Sequence, residues 1–220
     1  ELLRILAQPE LGIRRTGSGT GPLAADRQTY WTLLTERVDD SMGPDSRRMV
    51  RPLEVRTERA ARAIARFAMG ESAMVLGGRF EHLPYLSAAG ISDNDVRADP
   101  VIGLFGLLVV NGKGFLGDPA NREAIALAID REALMTPLGI GQWQVTARIV
   151  PLGLERYQPL IGDRWTDLTI GARRDLARGR IVRWRQANET LPVLRIAMPR
   201  GPGSRLVFGR IRRDLQTIGL

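Results

Sequence analysis

Four consecutive residues, Arg79-Phe80-Glu81-His82, bring together a cation, an aromatic ring, a carboxylate and the only histidine of the chain. An imidazole can move a proton near neutral pH, and a guanidinium can hold a carboxylate through two parallel hydrogen bonds. Sequence neighbours do not converge on one substrate atom unless the backbone turns sharply between them, so Glu81 and His82 are not assigned as an acid/base pair and no catalytic residue is expected. Binding is the better reading of this stretch. Gly77-Gly78 ends a short apolar run, and in open α/β sheets ligands bind just beyond the carboxyl ends of strands.

Composition excludes several other chemistries. There is no cysteine, hence no disulfide, thiolate metal site or cysteine nucleophile. With a single histidine as well, the chain is poorly equipped for a transition metal, and neither a metal site nor a cofactor is expected. Arg15 to Pro22 places three glycines at alternate positions, yet it lacks the Gly-Lys-Ser/Thr ending of a phosphate-binding loop and the spacing of a dinucleotide fold, and it reads as a tight loop. The net charge is +8 and the pI about 11.1. Of 32 basic residues only Lys113 is lysine; the other 31 are arginines, placed in ones and twos with few aromatics among them. A basic nucleic-acid-binding protein is therefore the alternative reading, and solvated arginine-rich helix faces are the preferred one, with no nucleic acid expected as a partner. Hydrophobic content of 44% and charged content of 25% fit a globular chain, and no apolar run reaches membrane-spanning length.

These residues must be positioned by strands and helices that the pattern predicts in turn. Gln28 to Arg37 and Val50 to Val55 read as strands, the second suited to a sheet edge because of Pro52. A helix capped by Thr57 runs through Met69 to Gly70, and Ser72 to Leu76 reads as a short strand. Ser92 can cap a brief turn of helix. Phe105 to Val110 is an apolar run of strand length that suits burial on both faces. Asp118 as cap and Pro119 at the first helical position open a helix predicted to reach Met135, where Thr136-Pro137 stops it. Trp165 to Thr169 lead into another helix, with Ala177, Ile181 and Trp184 on one face. Val193 to Ala197 reads as a strand. Ser204 is predicted to cap a last helix with Phe208, Ile211, Leu215 and Ile218 inward and Gly219 at its end.

The order of these pieces resembles the family 5 extracellular solute-binding proteins of ABC importers, the oligopeptide-, dipeptide- and nickel-binding group. Gly19-Thr-Gly-Pro-Leu23 resembles the Gly-Thr-Gly-Pro-Tyr turn of that family, with Leu in place of Tyr. Phe67 to Val75 resembles its helix, Gly-Glu and apolar strand, with Ala73 where Asp is usual. Leu108-Val-Val-Asn111 followed by Asn121 to Leu134 resembles its Asn-ended strand and the helix carrying Ala-Ile-Asp-Arg. Leu194 to Pro199 with the helix to Gly219 resembles an α/β unit of its second lobe.

The resemblance implies an α/β fold of periplasmic-binding-protein type II, with parts of two lobes. Residues 1–134 would belong to the first lobe and 135–220 would begin the second. The chain starts in mid-pattern and stops just after a helix, so it reads as a middle fragment truncated at both ends. The implied function is solute capture for an ABC importer, without chemistry. Its partners would be a small solute such as a peptide and the importer's membrane subunits, and its location periplasmic or extracellular and membrane-associated. By position, the cleft would be lined by Gly77, Gly78, Arg79 and Phe80 and by the strand start Leu104 and Phe105. Their backbone could pair with an extended peptide, and Arg79 could meet a carboxylate.

Overall fold

The computed structural model describes residues 23–36, 52–98, 104–139, 144–149 and 164–220. The chain divides into two compact units, Glu1–Arg59 and Ala60–Leu220.

In the first unit β1 (Leu23–Arg27), β2 (Thr32–Glu36) and β3 (Leu53–Val55) form an antiparallel sheet in the order β1-β2-β3. Ala25 pairs with Leu34, and Leu34 with Leu53. The loop between β1 and β2 closes through Gln28 N–H on the Trp31 carbonyl, at 2.8 Å. Pro52 stands just before the edge strand β3, where a missing N–H costs no ladder bond. The predicted strand over Gln28 to Arg37 is thus the shorter β2, while β1 comes from residues that the sequence did not mark as a strand.

The second unit is built from helices. They are α1 (Ala60–Ala68), α2 (Pro84–Ala88), α3 (Pro119–Ala128), α4 (Arg131–Met135), α5 (Ile170–Asn188) and α6 (Pro202–Gln216). Ala124 and Ala128 of α3 and Ala177 of α5 are fully buried, small enough to let these helices approach closely. Leu127, Ile181, Val207, Ile211, Leu215 and Ile218 fill the same core, and Phe115 meets Trp184 edge to face at 5.2 Å. This core draws on residues from both sides of position 134.

Caps account for the helix starts. Asp118 accepts from Ala120 N–H at 2.8 Å, with Pro119 beside it, as the sequence predicts. Thr169 accepts from Ala172 N–H in the same way at the start of α5. Ser92 accepts from Asn94 N–H at the head of a single 3-10 turn, Asp93–Asp95.

The helix expected to run from Pro119 to Met135 is instead broken at Ile129 and Asp130. Asp130 turns its side chain to Ala133 N–H and starts α4, while its own N–H donates to Asp214 Oδ2 of α6 at 3.1 Å. Asp214 is 1% exposed and also accepts from Arg174 at 2.7 Å. Arg174 Nε donates to the Ala128 carbonyl at the end of α3, and Arg178 donates to the Thr217 carbonyl beyond α6. Arginines of α5 therefore close the ends of two neighbouring helices, whose last carbonyls have no partner within the helix.

Three predicted strands form no ladder among the described residues. Ser72 to Leu76 and Phe105 to Val110 are irregular and largely exposed, with Leu108 at 86% and Val110 at 91%, so the expected two-sided burial of the second is not observed. Val193 to Ala197 is irregular too, but its burial alternates. Leu194, Ile196 and Met198 pack on the core while Val193 faces solvent. An apolar run supplies side chains for a sheet, but only an adjacent strand satisfies its N–H and C=O groups.

The last helix is corrected in two places. Ser204 is not its cap: Gly201 is, and Ser204 lies buried in the first turn. Val207 takes the core place expected of Phe208, which is 41% exposed.

Candidate functional site

The two stretches predicted to line a cleft meet. Phe80 and Phe105 place their ring centroids 4.7 Å apart at an interplanar angle of 60°, a tilted aromatic pair. Gly77 precedes them at φ +76°, a left-handed conformation that favours glycine. Gly78 follows in the same irregular segment, and Arg79 is extended (φ −131°, ψ 164°). Gly77, Gly78 and Arg79 are exposed, as are Leu104 at 53% and Phe105 at 44%; Phe80 is half-buried. The Arg79 guanidinium has no hydrogen bond or ion pair among the described residues.

Beyond Arg79 the backbone does turn sharply. Phe80–His82 is one turn of 3-10 helix, closed by His82 N–H on the Arg79 carbonyl at 2.9 Å. Within that turn Glu81 and His82 part company. The His82 ring lies parallel to Tyr85 of α2 with centroids 6.4 Å apart, whereas the Glu81 side chain is buried.

Glu81 is buried because the turn seats directly on the start of α6. A Cβ on Gly203 would stand 2.1 Å from the Phe80 carbonyl oxygen and 2.9 Å from Glu81 Cα. One on Gly201 would lie 2.6 Å from the Glu81 carbonyl oxygen and 2.8 Å from Glu81 Cβ. Only glycine permits this approach of backbone to backbone. A helix predicted to start at Ser204 leaves Gly201 and Gly203 outside it. The signal for the close approach is the pair of glycines two apart around Pro202, at a helix start where bulk would be excluded.

In the turn and at the start of α6, three shielded polar atoms lack a hydrogen bond among the described residues: Glu81 Oε2, His82 Nδ1 and Ser204 Oγ. The Glu81 carboxylate thus has no donor, while the Arg79 side chain two residues earlier is exposed. Among the described residues, no three His, Asp or Glu side chains gather as a metal ion would require.

A second polar cluster behaves differently. Glu123 of α3 accepts from Arg180 at 2.6 Å, from Arg164, and from the Trp165 indole N–H at 3.2 Å. Burial works against the charged carboxylate. The hydrogen bonds from Arg180 and Trp165 and the charges of Arg180 and Arg164 outweigh it, and hold Glu123 below the usual carboxylate range. Trp165 itself sits at φ +64°, a strained conformation for a bulky residue, with the Arg164 and Arg131 guanidiniums 5.0 and 5.8 Å from its ring centroid. Each carboxylate oxygen of Glu123 already has a donor, so this cluster ties α3 to α5 and offers little to a ligand.

Two open clefts of about 540 and 240 Å³ flank the segment from Glu189 to Ile196. The first is lined by Arg185 and Leu191 and the second by Leu194, Phe208 and Arg212; neither includes a residue of the Phe80–Phe105 cluster. Both are open clefts beside an irregular segment. No family model, curated protein or solved structure matches the chain.

Proposed function

We propose that this chain captures a small solute, a short peptide in the first instance, for uptake by an ABC importer, and that it performs no chemistry on it. The observation that supports this reading most is the meeting of Phe80 with Phe105. It joins residues 25 apart in sequence, both singled out as ligand-lining from position alone. The exposed Phe105 ring and the half-buried Phe80 ring offer an apolar side chain a surface to pack on, and a pair of rings is worth more than its area alone. Arg79 beside them can take a carboxylate by a bidentate contact, the strongest kind of neutral-pH recognition available to this loop. Gly77 and Gly78 leave the backbone open to an extended partner. In this reading the importer's membrane subunits are the second partner and the site of action is outside the cytoplasm.

Calorimetric titration of the chain with the tripeptide alanyl-phenylalanyl-alanine tests the proposal. Saturable binding is expected, weakened about tenfold or more in Arg79→Ala, as loss of a charge-assisted contact implies. Binding of equal strength in that variant would count against a carboxylate contact at Arg79.

A further inference from the structure

Around the segment from Leu191 to Ile196 the chain gathers cations without counter-charges. Arg174, Arg178, Arg180 and Arg210 are paired with carboxylates. Arg185, Arg195, Arg205, Arg212 and Arg213 are exposed and form no ion pair among the described residues. The two clefts show how they adjoin. Arg185 lines the first with Leu191, and Arg212 lines the second with Leu194 and Phe208, so both border the same segment. Arg205, Phe208 and Arg212 follow one another at spacings of three and four on α6, which puts them on one face, away from the buried Val207, Ile211 and Asp214. Glu189 is the one carboxylate lining either cleft.

The same surface exposes apolar side chains among these cations. Leu191 is 54% exposed and Val193 83%, and Val182, Leu206 and Phe208 are exposed as well. Val193 and Arg195 face outward while Leu194 and Ile196 pack on the core. A basic face that is merely solvated gains nothing from leucine and valine held in water. Guanidiniums interleaved with aliphatic side chains match a surface that is anionic at its headgroups and apolar just beneath them. A nucleic acid also offers phosphates, but its bases are held by stacking on aromatic rings, and Phe208 is the one exposed ring on this surface. No helix among the described residues is long and apolar enough to cross a bilayer, and the fit is to the bilayer surface.

We propose that this face of the helical unit docks on an anionic lipid surface, with Arg185, Arg195 and Arg212 at the headgroup phosphates and Leu191 and Val193 at the acyl boundary. The face is separate from the Phe80–Phe105 cluster, none of whose residues lines either cleft, and its docking is independent of solute capture.

The test sediments the wild-type chain with vesicles of phosphatidylcholine alone and with vesicles of equal parts phosphatidylcholine and phosphatidylglycerol, at physiological salt. Binding to the anionic vesicles and not to the neutral ones is expected. Arg195→Ser combined with Arg212→Ser should weaken it about twentyfold, at about fivefold for each arginine near an anionic surface. Val193→Ser keeps the charge and should weaken it about threefold or more. Arg59→Ser combined with Arg97→Ser removes the same charge from exposed positions elsewhere and should leave binding nearly unchanged. Circular dichroism checks that each variant keeps its helices. No binding of the wild-type chain to anionic vesicles would overturn the proposal. Equal losses in the two arginine pairs would overturn it too, by assigning the binding to the net charge of +8 and not to this face. Tighter binding to duplex DNA than to anionic vesicles, unaltered by Val193→Ser, would assign the face to nucleic acid and overturn the lipid reading.

Discussion

Two glycines of α6 make opposite predictions for one substitution. Gly203→Ala would place a Cβ 2.1 Å from the Phe80 carbonyl oxygen, against about 3.5 Å for an ordinary contact. The obstacle is backbone, so no rotamer change relieves it. Either the turn or the helix start must move by roughly 1 Å or more, and overpacking of this kind costs about 1–3 kcal/mol. Gly209 lies in the same helix with nothing within 4 Å of a Cβ. There Gly209→Ala should stabilise by about 0.5–1 kcal/mol, because alanine is the better helix former. Urea unfolding followed by circular dichroism at helix wavelengths reads both, since the helices among the described residues all belong to the second unit. Gly203→Ala losing less than about 0.5 kcal/mol, below the cost expected of overpacking, would refute the backbone-on-backbone contact that buries Glu81.

Further predictions concern the supports around the site. Asp214→Ala should cost about 3–5 kcal/mol, because it leaves the Arg174 guanidinium without its carboxylate and Asp130 N–H without an acceptor. Adding Arg174→Ala should then cost less than its effect alone, and additive losses in urea melts would count against the pairing. Glu123 gives a pH signature. Its folded-state value lies below the unfolded one, so its contribution is complete above about pH 4.3 and is lost as pH falls through the folded value. Glu123→Gln should flatten stability against pH in that acid window, and parallel profiles for the two proteins would contradict the assignment.

The sequence showed local features well wherever a few adjacent residues decide them. Asp118 with Pro119 caps α3 as the sequence predicts, and Ala177 and Ile181 turn inward. Features set by distant partners were not legible. The break at Asp130 depends on Asp214, 84 residues away, and the burial of Glu81 depends on two glycines of α6. Phe208 and Val207 are neighbours that fit the helical period almost equally, and packing chose the smaller for the core. The apolar run from Phe105 to Val110 predicted burial that its surroundings do not supply. The basic surplus is unevenly placed along the chain, which single runs of charge do not reveal. Between 170 and 220 there are twelve arginines and only three acidic residues, Asp175, Glu189 and Asp214, which leaves 20 basic and 21 acidic residues elsewhere. Part of that surplus is structural. Arg174, Arg178 and Arg180 bond to carboxylates and helix-end carbonyls inside the helical unit.

Solute capture at the aromatic pair is tested most directly by hydrogen–deuterium exchange of the chain with and without alanyl-phenylalanyl-alanine at saturating concentration. Slower exchange confined to residues 77–81, 104–106 and the first turn of α6 is the predicted result. An unchanged pattern there, or protection confined to the clefts beside Glu189 to Ile196, would contradict it.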